Sequence, residues 1–206
     1  MSTITDLSQL KADAVYSYAD YLGWKLEQAV ELIRGKILKM SPAPKTRHQR
    51  IAFNLSGLFY VHLKKSDCQA FAAPFDVRLP DRRKSAGANQ DIFTVVQPDL
   101  CVIGDASKID ENGCLGAPDL VVEILSKGNA NKEMRLKFEL YEEAGVREYW
   151  VADPERQYIH LFQLGPDERY LPPRVFLRDD VLQSAIFPDL KIDLREVFPE
   201  EIADEQ

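Results

Sequence analysis

Two near-continuous apolar runs, Val95 to Ile103 and Ala117 to Ser126, constrain the fold of this chain more than any other feature of its sequence. A strand with one solvated face alternates apolar and polar residues, whereas a run that is apolar at almost every position is typical of a strand covered on both faces. Covering both faces requires further layers of structure. The runs therefore favour an α/β or α+β fold in which helices flank a central sheet.

The rest of the chain supplies helices and further strands. Apolar residues at three- and four-residue spacing predict helices at 14–24, where Gly23 ends the helix, at 46–64 and at 131–144. Further strands are predicted at 30–33 and 37–40, joined by the hairpin turn Arg34-Gly35, and at 71–79, 148–152 and 158–164. Residues 80–91 are expected to form a flexible loop, and the last part of the chain an irregular edge strand and a closing turn.

Length and composition suit one intracellular domain. The chain has 206 residues, of which 45% are hydrophobic, and we expect a single domain over 1–206 with its core at about 14–195. No basic N-terminal patch precedes an apolar run, and no run reaches the roughly 18 apolar residues that a membrane span needs. We therefore expect a soluble, cytoplasmic protein without a membrane partner.

The cysteines favour neither a disulfide framework nor a zinc site. Cys68, Cys101 and Cys114 are odd in number, and no CxxC spacing or nearby histidine accompanies them. We expect reduced, mostly buried thiols.

The overall charge does not favour nucleic-acid binding. The chain has 26 basic and 33 acidic residues, a net charge of -7, whereas phosphate-binding surfaces are normally basic. Part of the acidic excess lies in an expected solvated tail that contains Glu196, Glu200, Glu201, Asp204 and Glu205. A local basic groove is still compatible with this composition, and its candidate phosphate contacts are Lys45, Arg47, Arg50, Arg82, Arg83 and Lys84.

Each apolar run contains one carboxylate where burial is expected. Asp99 interrupts the first run, and Glu123 lies in the second between Val122 and Ile124. An ionised carboxylate in such a position is costly unless it is paired or binds a metal. One such residue is more simply a hydrogen-bonded structural brace, but two on neighbouring strands favour a shared site.

Lys137 is the third unusual residue. On the helix at 131–144 it falls in the middle of an arc formed by Met134, Leu136, Phe138, Leu140, Tyr141 and Ala144. The charged residues Arg135, Glu139, Glu142 and Glu143 occupy the other side. A single lysine in this position can snorkel to the rim, but its place directly after the strand of Glu123 favours a functional partner. Lys137→Met is accordingly expected to preserve or raise stability and to lower turnover.

These groups suit metal-dependent phosphodiester hydrolysis. Mg²⁺ prefers oxygen ligands, and we expect Asp99, Glu123 and the main-chain carbonyl of Ile124 to bind it, with Mn²⁺ able to substitute. Lys137 would orient the attacking water and stabilise charge on the phosphate.

The same residues resemble the Uma-type restriction endonucleases. The matching segments are Glu31-Leu-Ile-Arg-Gly35, Gln97-Pro-Asp-Leu100, Pro118-Asp-Leu-Val-Val-Glu-Ile-Leu-Ser126, Lys137 to Tyr141 and Glu148-Tyr-Trp-Val-Ala-Asp-Pro154. The resemblance covers roughly residues 14–195. It implies the restriction-endonuclease-like fold, with a mixed central sheet and a PD-(D/E)XK site in which Asp99 and Glu123 bind the metal and Lys137 is the catalytic lysine.

The short superfamily motif is incomplete, because Leu125 stands where the lysine is usually found and the lysine has moved to the following helix. The resemblance also matches Glu31 to a recurrent glutamate that could reach the metal, although an exposed hairpin residue explains it equally well. His48 is interpreted as a packed or capping histidine rather than a base. Asp119 follows Pro118 and is interpreted as a turn or a brace.

The leading hypothesis is an endonuclease that cuts nucleic acid, preferably double-stranded DNA, and a homodimer would supply the two sites that a double-strand cut needs. The net acidity supports a different class, an inactive nuclease-fold scaffold or nucleic-acid-binding protein. A metal-dependent phosphoesterase that acts on small substrates is also compatible with the residues.

Overall fold

The computed structural model describes residues 3–11, 13–40, 45–81, 89–126 and 130–198. Its helices are α1 (Tyr18–Leu22), α2 (Thr46–Leu63), α3 (Ala130–Ala144) and α4 (Leu194–Val197), and short 3-10 helices cover Leu7–Gln9, Asn89–Asp91 and Ala106–Lys108. The first strands are β1 (Val30–Ile33), β2 (Lys36–Lys39), β3 (Gln69–Ala72), β4 (Val77–Arg78), β5 (Val95–Val96), β6 (Leu100–Ile103) and β7 (Ile109–Asp110). They are followed by β8 (Gly113–Leu115), β9 (Leu120–Ile124), β10 (Glu148–Asp153), β11 (Tyr158–Gln163), β12 (Arg174–Leu177), β13 (Val181–Gln183) and β14 (Lys191–Asp193).

The central sheet has the strand order β12-β11-β10-β9-β6-β3. The pair β9 and β10 is parallel, and the other neighbours are antiparallel. The predicted mixed α and β architecture is therefore confirmed.

Both faces of the central sheet are covered, as the apolar runs predicted. Side chains alternate along a strand, so Leu100 and Val122 contact one layer while Cys101 and Val121 contact the other. The first layer is α2, which contributes the buried residues Ile51, Leu55, Phe59 and Leu63. The second contains α3 and a further sheet, with Leu140, Tyr141, Ile33, Val77 and Val96 in one cluster.

That further sheet was not predicted. Its order is β2-β1-β5-β4-β8-β7, and strands β4 and β5 have two residues each. It joins the predicted hairpin β1–β2 to segments from elsewhere in the chain, and so it brings Glu31 of β1 toward the central sheet.

Two predicted strands are each divided between the sheets. The segment 71–79 forms β3 and β4 in different sheets, so its interpretation as one strand is wrong. The run 95–103 forms β5 and β6, separated by Gln97-Pro98-Asp99. Pro98 lacks an N–H and cannot donate to a strand ladder, and Asp99 consequently lies just before β6 rather than inside a strand.

The remaining differences are smaller. The helix expected at 14–24 is shortened to α1, because the side chain of Ser17 caps its start, and it ends at Gly23 as predicted. In the hairpin turn, Arg34 and Gly35 have φ angles of 51° and 78°. The C-terminal part is more regular than expected, since it forms β12 to β14 and α4.

Several predictions fall wholly or partly outside the described residues. Residues 82–88 of the expected loop and 199–206 of the acidic tail are among them.

The three cysteines are free thiols, and Cys101 and Cys114 are buried. No helix in the described part of the chain has the length and apolar character to cross a membrane.

Candidate active site

Asp99 and Glu123 are neighbours at one end of the central sheet. Leu100 of β6 pairs with Val122 of β9, and one further step of this antiparallel register sets Asp99 opposite Glu123. The main-chain N–H of Ile124 donates a 2.7 Å hydrogen bond to Asp99 Oδ2, which fixes the carboxylate beside β9. The sheet register therefore brings the two predicted carboxylates together.

Lys137 reaches this pair from α3. Its Nζ lies 2.9 Å from Glu123 Oε1 and 3.0 Å from Glu31 Oε1, and the residue is 6% exposed. A snorkelling lysine would place its ammonium at the surface, so the inward orientation is confirmed.

Glu31 is part of the same cluster. The residue is 1% exposed, and its Oε1 also accepts a 2.8 Å hydrogen bond from the main-chain N–H of Gln97. Its interpretation as an exposed hairpin residue is wrong. Glu31, Glu123 and Lys137 are thus joined through one buried ammonium.

Sequence reasoning missed the role of Tyr141. Its hydroxyl donates a 2.7 Å hydrogen bond to Glu123 Oε1, the oxygen that Lys137 also contacts. Tyr141 was assigned to the apolar arc of the helix. Its position four residues after Lys137 places both on one helix face and was the available signal.

His48 also contacts the site. Its Nε2 lies 3.3 Å from Asp99 Oδ1, and its side chain is 12% exposed. Within the described residues, His48 Nδ1 is buried and has no hydrogen-bond partner. The interpretation as a packed or capping histidine missed this contact, because the sequence places His48 in the first turn of α2 and gives no sign that this turn meets Asp99.

Burial and excess negative charge shift the pKa values of the site. Burial raises the pKa of Glu123 to about 7, because the lowering effect of Lys137 is opposed by the charges of Asp99 and Glu31. For Lys137, burial lowers the pKa, but Glu123 and Glu31 outweigh it and hold the pKa well above its usual value. The lysine is therefore charged at neutral pH.

The pKa of His48 is raised as well. Burial acts to lower it, but the hydrogen bond and charge of Asp99, with the charge of Glu123, more than compensate. The shifts of Lys137 and His48 have the same origin, the surrounding carboxylates, whereas burial is the largest cause of the Glu123 shift.

The residues present fit a divalent cation. With Glu123 ionised and His48 neutral, the carboxylates of Glu31, Asp99 and Glu123 carry three negative charges against the one positive charge of Lys137, an excess that one divalent cation would neutralise. Within the described part of the chain, no three His, Cys, Asp or Glu side chains converge as a ready ligand cluster. Mg²⁺, however, is usually held by one or two carboxylates and keeps several waters. Asp99, Glu123 and the carbonyl of Ile124 would supply such a set.

A small pocket opens beside these groups. Its lining residues are Glu123, Ile124, Leu125, Ser126, Met134, Lys137 and Tyr149. Tyr149 is 1% exposed and is one of the lining residues of this pocket. Burial, with the charge of Glu123, keeps its pKa well above the usual value, so the hydroxyl is a neutral donor.

Two acidic residues nearby have structural roles. Asp119 Oδ2 accepts a 2.8 Å hydrogen bond from the N–H of Gly104, in agreement with the predicted brace. Glu142, expected on the exposed side of α3, is instead buried, and it accepts hydrogen bonds from Arg169 Nη1 and the N–H of Tyr170.

The predicted phosphate contacts are only partly within the described residues. Lys45 and Arg50 are exposed, while Arg47 Nη1 lies 3.3 Å from Glu155 Oε2. The other three candidates, at 82–84, lie outside the described residues.

The family model Uma2, whose description is "Putative restriction endonuclease", matches residues 18–195. The chain belongs to the Uma2 family. This match contains the whole cluster of Glu31, His48, Asp99, Glu123 and Lys137. No curated protein matches the chain.

The fold of this Uma2 chain also occurs in a solved structure. It is similar to the crystal structure of a protein from Anabaena variabilis ATCC 29413 that is described as "a putative nuclease belonging to DUF820". The TM-score is 0.67 and the sequence identity is 23%, with 89% of this chain and 97% of the other covered. At this identity the likeness establishes the fold, and the family match supports a nuclease-like function.

Proposed function

We propose that this chain is an endonuclease that hydrolyses phosphodiester bonds in double-stranded DNA and requires one Mg²⁺, for which Mn²⁺ can substitute. The observation that carries the proposal is the cluster of Asp99, Glu123, Glu31 and Lys137, in which Glu31 and Lys137 are buried and carboxylates outnumber cations. A family whose description is that of a restriction endonuclease supports the choice of substrate.

In this proposal the side chains have distinct tasks. Asp99, Glu123 and the carbonyl of Ile124 would hold the cation, and the hydrogen bond from the N–H of Ile124 fixes the orientation of the Asp99 carboxylate. The bound cation would activate a water molecule and stabilise negative charge on the phosphate. Water would add to phosphorus as the bond to the leaving ester oxygen breaks, and the proton that the water loses would reach the leaving oxygen through solvent.

Lys137 and Glu31 organise the attacking side. The ammonium of Lys137 is shared between Glu31 and Glu123, so it is held beside the metal ligand and can orient the water or contact a phosphate oxygen. Glu31 limits the movement of this ammonium through its own hydrogen bond from the N–H of Gln97. A homodimer would present two such sites to the two strands of a duplex.

Two aspartates in matching positions provide the test. Asp99 and Asp119 each follow a proline, precede adjacent strands and accept one hydrogen bond from a main-chain N–H. Asp99→Asn should abolish Mg²⁺-dependent cleavage of a plasmid, whereas Asp119→Asn should retain it in proportion to its folded fraction. Circular dichroism and thermal melts would serve as the control that both variants are folded.

The same assay separates the competing functions. Hydrolysis of bis(p-nitrophenyl) phosphate without cleavage of DNA would replace the proposal by a phosphoesterase of small substrates. DNA binding without hydrolysis of either substrate, in Mg²⁺ or Mn²⁺, would support a binding or scaffold protein. Equal cleavage by the two aspartate variants would remove Asp99 from the mechanism.

A further inference from the structure

Basic residues are segregated in this acidic chain. The segment from Leu32 to Ser66 contains eight lysine and arginine residues and no aspartate or glutamate, which leaves 18 basic and 33 acidic residues elsewhere. Helix α2 lies entirely within this segment. The helix itself contains Arg47 and Arg50 and no acidic residue, and Arg47 Nη1 lies 3.3 Å from Glu155 Oε2.

The side of α2 that points away from the core carries exposed aromatic rings. At about 100° per residue, five residues after the first turn fall within an arc of about 100° opposite the buried Leu55, and we call them the outer stripe. The outer stripe consists of Arg50, Phe53, Gly57, Tyr60 and Lys64. Phe53 is 79% exposed and Tyr60 is 69% exposed, and a Cβ added at Gly57 would meet no atom within 4 Å.

The chemistry of the outer stripe suits nucleic acid better than a second copy of the chain. Two copies packed antiparallel about Gly57 would set Arg50 beside the partner's Lys64, so like charges would meet at both ends. A nucleic-acid strand instead offers phosphates to the two cations and flat base faces to the two rings. Charge complementarity therefore favours nucleic acid over a second copy of the chain on the outer stripe.

The spacing of the rings indicates an unpaired strand. Phe53 and Tyr60 are seven residues apart, which is about 10 Å along the helix axis and close to three base rises of 3.4 Å. Bases inside a duplex already have both faces stacked, whereas unpaired bases can stack on exposed aromatic rings. Arg50, the first residue of the stripe, is two residues after His48, which contacts Asp99, and it lies on the opposite side of the helix, so a strand on the stripe would continue away from the candidate active site.

We propose that the outer stripe of α2 binds a single-stranded segment of nucleic acid that extends from the cleavage site, with bases stacked on Phe53 and Tyr60 and phosphates contacted by Arg50 and Lys64. This inference rests on the proposed function and adds the substrate feature that the enzyme recognises. A substrate with an unpaired strand next to the scissile bond is then bound more tightly than a blunt duplex.

The test is fluorescence anisotropy with a labelled 20-nucleotide single strand and the full chain in EDTA, so that no cleavage occurs. The double variant Phe53→Ala/Tyr60→Ala should raise Kd at least about tenfold, the order expected for the loss of base stacking. The matched control is Val175→Ala/Leu177→Ala on the edge strand β12, where the side chains are 51% and 58% exposed. Its Kd should change less than about twofold.

The cations are tested by salt dependence. The double variant Arg50→Gln/Lys64→Gln should reduce the magnitude of the slope of log Kd against log salt concentration by about 1.4, since each contact to a single strand contributes roughly 0.7. An unchanged slope would remove these two residues from the phosphate contacts and overturn that part of the proposal.

Three results would overturn the proposal as a whole. The first is a wild-type protein without measurable affinity for the single strand, and the second is an equal Kd for wild type and Phe53→Ala/Tyr60→Ala. The third is a wild-type dimer in sedimentation velocity that this double variant converts to a monomer, because a second copy would then cover the stripe. If single strands bind as expected but no DNA is cleaved in Mg²⁺, the proposed endonuclease function is wrong, whereas the proposed binding of single strands by the outer stripe is supported.

Discussion

Replacing Lys137 by methionine removes the ammonium that Glu31 and Glu123 share. At the effective dielectric constant of about 20 that suits protein interiors, each contact near 3 Å corresponds to about 5–6 kcal/mol of Coulomb attraction. The cost of burying the ammonium offsets several kcal/mol of that attraction. The variant, however, keeps the three carboxylates of Glu31, Asp99 and Glu123 without their counter-charge.

We therefore expect Lys137→Met to lower the free energy of unfolding by about 3–5 kcal/mol in the absence of metal, the range observed when one partner of a buried ion pair is removed. This reverses the expectation from the sequence alone, in which the apolar stem appeared sufficient to preserve stability. The sequence indicated one partner for Lys137, whereas the fold supplies two.

The assay is urea denaturation in EDTA followed by circular dichroism. Arg135→Met is the matched control, because it also removes a cation from α3. The Arg135 side chain is 83% exposed and pairs with Glu139. Its free energy of unfolding should change by less than about 0.5 kcal/mol. A loss below about 1 kcal/mol for Lys137→Met, the value of an exposed ion pair, would refute the buried-pair account.

Three further substitutions have expected outcomes. Gly57→Ala should raise the free energy of unfolding by roughly 1 kcal/mol and Tm by about 2–4 °C, because the added Cβ meets no atom and alanine favours a helix interior. A calorimetric Tm at or below that of the wild type would contradict this prediction. Tyr149→Phe should leave Tm nearly unchanged but lower the rate of single-turnover cleavage about tenfold or more, since it removes the hydroxyl of a buried residue that lines the pocket. An unchanged rate would show that Tyr149 has only a packing role in the core. Glu142→Gln should cost about 1–3 kcal/mol in urea denaturation, because Arg169 loses a charged partner, without changing the cleavage rate of the folded protein.

The sequence was most informative where local patterns reflect burial. The apolar run around Glu123 predicted a strand covered on both faces, and the helical position of Lys137 predicted its inward orientation. Both conclusions need only the period of a strand or a helix, which a single segment contains.

Features that depend on distant segments were not predictable in this way. The contact between Glu31 and Lys137 joins residues 106 positions apart, and the second sheet pairs strands of two residues that have too little pattern to recognise. The chain passes from β5 in the second sheet to β6 in the central sheet at Pro98. This change was not predictable, because the sequence is apolar on both sides of Pro98. His48 meets Asp99 only because the first turn of α2 packs at the end of β6.

The central claim is that one divalent cation is held between Asp99 and Glu123. The measurement that tests it most directly is the anomalous signal of a crystal soaked in MnCl₂. We expect one strong peak within bonding distance of Asp99, Glu123 and the carbonyl of Ile124, and its absence from a crystal of Asp99→Asn soaked in the same way. A peak elsewhere, or one at this position that persists in Asp99→Asn, would contradict the account.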